Sequence, residues 1–304
     1  MHRLHRSIIL LAALAPLAGC RSVALKFAAD AVAGSGEAYA SDDDPELVRD
    51  AVPFGLKTME GVLEEKPRHE GLLTALASGF TSYAYAFVQQ DGELADLDGK
   101  LDVARAARER ARKLYLRARG YGLRGLDVRK ERLGQRILAG GADARAALAE
   151  TRKEDVPLLY WTASAWTLSI AADKANMAGI AELPTPVAMM ERALALDEAW
   201  SDGAIHEFFV VYDATRSAAE GGGPDRAKAH LDRALALSMN KKVGPRVSWA
   251  EGVLVQRQDR DAFVRTLEEV VRADPGEVPR YRLVNIVAQR RAKALLAHVD
   301  DLFL

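Results

Sequence analysis

The sequence predicts an all-α protein, and three observations predict it. After Pro45 the chain is rich in Ala, Leu, Arg and Glu. It carries no useful stretch of period-two alternation, the mark of a half-buried strand. Proline and glycine interrupt it at Pro67, Gly92, Gly99, Gly120 to Gly125, Gly140-Gly141, Pro157, Pro184 to Pro186, Gly221 to Pro224, Gly244-Pro245, Pro275-Gly276 and Pro279. The intervening segments of about 10–25 residues have the ordinary length of helices.

The N-terminal segment stands outside this pattern. Met1 to Arg6 is short and basic, Ile8 to Ala18 is apolar, and Leu17-Ala18-Gly19-Cys20 follows. These are the parts of a secretory signal, and the apolar run is shorter than the roughly 20 residues that cross a bilayer. Leu-Ala-Gly-Cys resembles the bacterial lipobox at all four positions. The resemblance implies a diacylglycerol on the Cys20 thiol and a cut just before it. Cys20 is the sole cysteine, so no internal disulfide can form.

Three segments follow from this reading: a signal peptide at 1–19, a lipidated flexible tether at 20–43, and a helical domain at 44–304. The tether carries Gly34-Ser35-Gly36 and ends in Asp42-Asp43-Asp44, read as a solvated helix start rather than a metal site. Arg21, with no aspartate after the cysteine, leans toward the outer membrane. No further stretch is expected to span a bilayer, so the lipid is the expected membrane attachment. Lys and Arg total 42 against 43 Asp and Glu, a net charge of −1. Loss of Arg3 and Arg6 with the signal makes the remainder more acidic, which excludes the basic face a nucleic-acid partner requires.

Within the helical domain one spacing recurs. Ala111, Tyr115, Ala118 and Tyr121 step by four, three and three; so do Pro186, Met190, Ala193 and Leu196. Ala227, Leu231, Ala234 and Leu237 repeat it, as do Phe263, Leu267, Val270 and Ala273. The spacing puts each set on one helical face. It resembles the second helix of a tetratricopeptide repeat. Leu73, Leu76, Ala77 and Phe80 resemble the first helix, and Trp161, Ser164, Ala165 and Leu168 do so more loosely. The expectation is a tetratricopeptide-like array of antiparallel helix pairs with degenerate spacing, an α-solenoid.

Catalytic signals are weak throughout. His206-Glu207 begins like a zinc-protease motif, but position 210 is valine. His69, His230 and His298 have no second histidine at ligand spacing. Gly221-Gly222-Gly223 lacks both the preceding strand and the following Gly-Lys of a phosphate loop. The expectation is a protein that is not an enzyme, with no cofactor, no metal and no catalytic residue. A hydrolase using Glu207 and Asp213 is the weakest of the readings. Aromatic and amide clusters are more suggestive of a lined cavity: Tyr160, Trp161 and Trp166 on one helix, His206, Phe209 and Tyr212 on another, Asn285 and Gln289 on the last. Packing between helices is the competing reading for each of them.

Taken in order, several segments resemble the TatT family, lipoproteins associated with tripartite ATP-independent periplasmic (TRAP) transporters. They are Asp44 to Pro53 with Leu56-Lys57 and Glu60; Leu72 to Val88; Ala111 to Arg119; Pro157 to Trp161; Gly203 to Phe209; Gly222-Gly223 with Ala227 and His230; and Arg282 to Asn285 through Phe303. The stretch Gly134 to Glu150 is less typical. The resemblance implies a ligand-accessible pore through each protomer, assembly into homotrimers, and a complex with the TRAP substrate-binding protein. It also implies a small hydrophobic or organic-acid ligand and a place in the envelope facing the periplasm. The alternative is a scaffold lipoprotein for envelope assembly that grips an extended peptide.

Replacing Cys20 with Ser removes the thiol that the lipobox reading requires. Cells expressing the Cys20→Ser variant are expected to accumulate the uncut precursor and to incorporate no labelled palmitate. Equal labelling of the variant and the parent would refute the anchor.

Overall fold

The computed structural model describes residue 34 and residues 36–304. The signal peptide, Cys20 and most of the expected tether lie outside the described residues. Every regular element among them is helical. In chain order these are α1 (Gly36–Ala40), α2 (Pro45–Glu65), α3 (Glu70–Leu97), α4 (Leu101–Arg129), α5 (Leu133–Ala139) and α6 (Gly141–Ala149). There follow α7 (Val156–Ala171), α8 (Met177–Glu182), α9 (Pro184–Leu196), α10 (Ala204–Ala214) and α11 (Pro224–Leu237). The last are α12 (Gly244–Trp249), α13 (Arg260–Arg272), α14 (Arg282–Ala297) and α15 (Val299–Leu302). Two π-helical segments complete the set: Ala84–Gln89 lies inside α3, and Ala250–Leu254 continues α12.

Helix starts follow capping chemistry. Asp44 Oδ1 accepts hydrogen bonds from the backbone N–H groups of Glu46 (3.0 Å) and Leu47 (3.1 Å), so the aspartate run ends in an N-cap as expected. His69 Nδ1 does the same for α3, accepting from Leu72 N at 3.1 Å. The first three positions of each four-three-three set are buried, with Tyr115, Met190, Ala193, Ala227, Ala234, Phe263, Leu267 and Val270 each 0% exposed, while the fourth (Tyr121, Leu196, Leu237 and Ala273) is half-buried.

Three large apolar clusters succeed one another along the chain, with a small fourth of Ala214, Ala227 and Val253. The first joins α2, α3 and α4; the second joins α4, α7, α9 and α10; the third joins α12, α13 and α14. Glu60 ties the first together. Its carboxylate accepts from Arg117 Nε and the Tyr121 hydroxyl, both at 2.5 Å, and from Lys57 Nζ at 2.6 Å. These partners hold its proton affinity below the ordinary value even though burial opposes them.

Several boundaries differ from the sequence expectation. Gly120 to Gly125 do not break a helix; α4 runs through them, and Gly122 and Gly125 serve close approach rather than a turn. A Cβ on Gly122 would lie 2.0 Å from Thr162 Oγ1, and one on Gly125 would lie 2.5 Å from Leu158 Cδ2. Gly92 likewise sits inside α3, where a Cβ would meet Ala107 Cβ at 2.8 Å. Gly134 to Glu150 forms two short helices, α5 and α6. Residues 36–40, placed in the expected tether, form a helix that packs on α14, and Tyr39 joins the first cluster. Among the described residues one helix, Glu70–Leu97, is long and apolar enough to cross a membrane by length and composition. Its apolar window is 56% buried within the protein, where α2, α4 and α7 cover it.

Helix α14 returns to α1 and α2. Arg282 Nη1 donates to the Ser41 carbonyl (3.1 Å), and Arg290 Nη1 lies 2.6 Å from Glu46 Oε1. Gln90 Nε2 donates to the Val287 carbonyl at 3.0 Å, joining α3 to α14. The inner helices α3, α7, α10, α12 and α14 therefore have a first and a last member in direct contact.

The two glycine contacts differ in how they can relax. Turning the Thr162 hydroxyl aside relieves only part of the first, since Thr162 Cβ would still lie 2.9 Å away, whereas a Cβ on Gly134 would sit 2.1 Å from the Leu123 carbonyl oxygen, which is backbone. Gly122→Ala is expected to lose about 1–3 kcal/mol, and Gly134→Ala to lose more, as read by urea denaturation. Equal or negligible losses would show that the close approach carries no strain.

Candidate functional site

Side chains from these inner helices converge on one interior space. Tyr85 lies in the π-helical segment of α3, where wider turns are often found at functional sites. It is 52% exposed. Nevertheless its hydroxyl is pushed well above its usual range, first by burial and then by Glu93 and Glu251, with Glu207 adding to it and Arg291 opposing. Its half-exposed ring is thus flanked by charged groups from three other helices, α10, α12 and α14. Tyr160 on α7 tells the same story: burial first, then Glu207 and Tyr85, raise its hydroxyl.

The charges in this space are paired. Arg291 on α14 donates Nε (3.1 Å) and Nη2 (2.5 Å) to Glu251 Oε1, and its Nη1 lies 3.2 Å from Glu93 Oε2. Glu251 belongs to the second π-helical segment. Burial raises its proton affinity, against the pull of Arg291. Glu93 stands two turns beyond Tyr85 on the same face of α3, and its Oε1 accepts from Gln89 Nε2 at 2.8 Å. Glu207 on α10 meets Lys242 Nζ at 3.1 Å.

Aromatic faces complete the wall. The Tyr160 ring centroid is 5.0 Å from Trp161 and 4.5 Å from Trp200. Trp200 is carried by a strained turn. Ser201 (φ 47°) and Asp202 (φ 53°) adopt left-handed conformations that disfavour side chains, and Gly203 (φ 90°) follows where glycine is at ease. Lys242 Nζ secures this turn by donating to the Ser201 carbonyl at 2.7 Å.

A second cluster lies between α10 and α11. His206 Nδ1 is 2.7 Å from His230 Nδ1, and His206 Nε2 is 3.1 Å from Glu198 Oε1. Carboxylate oxygens accept only, so His206 Nε2–H donates to Glu198 and His206 Nδ1 accepts from His230 Nδ1–H. One proton on each ring is enough for these bonds, and burial favours the uncharged imidazoles. Arg233, ahead of His206, holds Glu198 down to about 2. His230 Nε2 lies 3.6 Å from Asp213 Oδ2, and Asp213 is fully buried. Among the described residues no group of three His, Cys, Asp or Glu side chains is placed to hold a metal.

The residues singled out from the sequence are divided between these settings. Tyr160 and Trp161 lie on the interior wall. Trp166 is 1% exposed; its Nε1 donates to Glu182 Oε2 (2.8 Å) and Arg119 stacks 4.9 Å from its ring. His206 belongs to the histidine pair, and Phe209 is buried against His230. The Tyr212 hydroxyl accepts from Arg216 at 2.9 Å. Asn285 clasps backbone: Oδ1 accepts from Val243 N (3.1 Å), and Nδ2 donates to the Lys241 carbonyl (2.9 Å). Gln289 Nε2 donates to the Val270 carbonyl (3.0 Å) and the Ala273 carbonyl (2.7 Å), closing the end of α13. Sequence reasoning missed Tyr85, Glu93, Trp200, Lys242, Glu251 and Arg291, for which no motif exists.

An all-helical array presenting aromatic and paired charged groups to a shared interior has the character of a binding module. The chain belongs to the TRAP transporter T-component family, whose model matches residues 41–303. It is also 28% identical over 267 residues to an uncharacterized protein of Treponema pallidum (strain Nichols), covering 88% of this chain and 82% of that one. The family is one of transporter components and suggests an accessory role in TRAP transport, associated with the bacterial envelope.

The histidine pair makes stability depend on pH. Burial lowers the proton affinity of both imidazoles in the folded chain. A depressed base binds its proton more readily when unfolded, so its contribution is complete above the unfolded value, about 6.5. That contribution is lost as pH falls below 6.5. The melting temperature is expected to fall between about pH 7.5 and 5.5. A His206→Asn/His230→Asn variant should melt lower at neutral pH but show a shallower decline. An unchanged slope would remove the pair from the acid response.

Proposed function

We propose that this protein is a periplasm-facing lipoprotein accessory of a TRAP transporter, which docks the TRAP substrate-binding protein and holds a small organic ligand in an interior opening. The observation that supports it most is the convergence of Tyr85, Tyr160, Glu207, Glu251 and Arg291 from α3, α7, α10, α12 and α14 around one space. Helix pairs at tetratricopeptide-like spacing wrap that space, and the contact of α14 with α3 closes it. The lipid on Cys20 keeps the module beside the outer membrane, where a periplasmic binding protein reaches it.

Homotrimeric assembly is part of the proposal. Phe54, 78% exposed, and Leu47, 58% exposed, stand seven residues apart on one face of α2 and give an apolar surface for a neighbouring subunit. Chemistry on substrate is not part of it. Glu207 is paired with Lys242 on the interior wall, whereas Asp213 lies on another face of α10 against His230 and Arg226.

The test is native mass spectrometry of the full-length chain, co-expressed with a TRAP substrate-binding protein from the same genome and extracted in mild detergent. A trimer carrying the binding protein is the expected result. A monomer with no binding protein attached would overturn the proposal.

A further inference from the structure

The charges on the interior wall define a ligand chemistry, given the reading above that a small molecule is held there. Neither cation is open to a newcomer. Arg291 is engaged by Glu251 and lies beside Glu93, its Nη1 buried without a hydrogen bond, and Lys242 is engaged by Glu207 and the Ser201 carbonyl, its ammonium also lying 5.5 Å from the Tyr281 ring centroid. The acceptors are not spent. Among the described residues Glu207 Oε2 and Glu251 Oε2 carry no hydrogen bond, nor does the Tyr85 hydroxyl. Three carboxylates facing two cations leave the wall negative.

Three further observations agree. Glu251 is a carboxylate whose burial is incompletely offset by its one guanidinium partner. Tyr85 feels Glu207 and Glu251, Tyr160 feels Glu207, and Trp161 and Trp200 pack around Tyr160; aromatic faces attract cations. The two groups best placed to meet a ligand, Tyr85 and Glu251, both project from π-helical segments. An incoming carboxylate would have to expel Glu93 or Glu251 from Arg291, leaving a buried acid unpaired.

We propose that the interior takes an organic amine, its ammonium paired with the open oxygens of Glu207 and Glu251 and its apolar or aromatic body against the tyrosine and tryptophan faces. This departs from the organic-acid ligand implied by the family resemblance. A neutral apolar molecule fits the walls but leaves both open oxygens unanswered.

Three probes sharing one body separate the possibilities: 4-phenylbutylamine, 4-phenylbutanol and 4-phenylbutyrate. Each is titrated by calorimetry and tryptophan fluorescence into the full-length protein in mild detergent, near neutral pH. The amine is expected to bind about tenfold more tightly than the acid, the worth of one charge-assisted contact, with the alcohol between them. Glu207→Gln and Glu251→Gln should each shrink that preference, while Glu109→Gln, on the outer face beside Arg112, should leave it intact. Melting curves verify that each variant is folded; if Glu251→Gln is not, Glu207→Gln carries the comparison. Acid binding as tight as amine binding, or a preference unmoved by the carboxylate variants, would overturn the amine assignment and leave a ligand-binding interior standing. Failure of all three probes to bind would defeat the ligand-binding interior itself.

Discussion

Gln90 on α3 donates its side-chain amide to the Val287 carbonyl on α14, 197 residues away, and Arg291 one turn further reaches Glu93 across the same seam. This contact turns a row of helices into an enclosure. Without it the helices would still bury their apolar faces, since each cluster is made by neighbours in sequence. Tyr85, however, would face open water, and Glu251 would lose the guanidinium that lets it remain inside. The Gln90 bond is buried, so its loss would strand a polar group as well as a contact. The outer pair, Arg290 with Glu46, is exposed and contributes little by itself.

Around the interior the chain departs from its own local rules. Elsewhere α2, α3, α8 and α13 begin on side-chain caps, and Gly92, Gly122 and Gly125 admit close neighbours within helices. Here α3 and α12 contain π-helical segments, and the turn at Trp200 holds two non-glycine residues in the left-handed region. Strain of that kind costs of order 1–3 kcal/mol per residue and persists only where the surroundings enforce it. Lys242 is part of that enforcement, because its ammonium fixes the strained turn and neutralises Glu207 together. One buried cation thus serves both the shape and the charge of the wall.

The helices were legible because burial writes a period into sequence. Ala111, Tyr115 and Ala118, or Phe263, Leu267 and Val270, announce a buried face from spacing alone, and the structure buries them. Gly122 was not legible, since a glycine that ends a helix and one that admits a neighbour look alike from within the segment. Asn285 and Gln289 look like ligand contacts by residue type, but their partners are backbone groups up to 44 residues away. His206 and His230 were noted singly; 24 residues separate them, and only the packing of α10 on α11 makes them a pair. Tyr85 and Glu251 left no trace, because a π-helical turn has no composition of its own.

That last feature bears on how α3 can serve two neighbourhoods. A π-turn accommodates one residue more than an α-turn, and so rotates everything after it by about a quarter of a circle relative to an uninterrupted helix. Ahead of Ala84 the helix addresses α2, α4 and α7; beyond Gln89 it addresses α4 and α14. The extra residue acts as a phase shifter, letting a single straight rod change which companions it greets halfway along. Deleting one residue between Ala84 and Gln89 would preserve the helix and its hydrophobicity while turning Gln90 and Glu93 away from the seam.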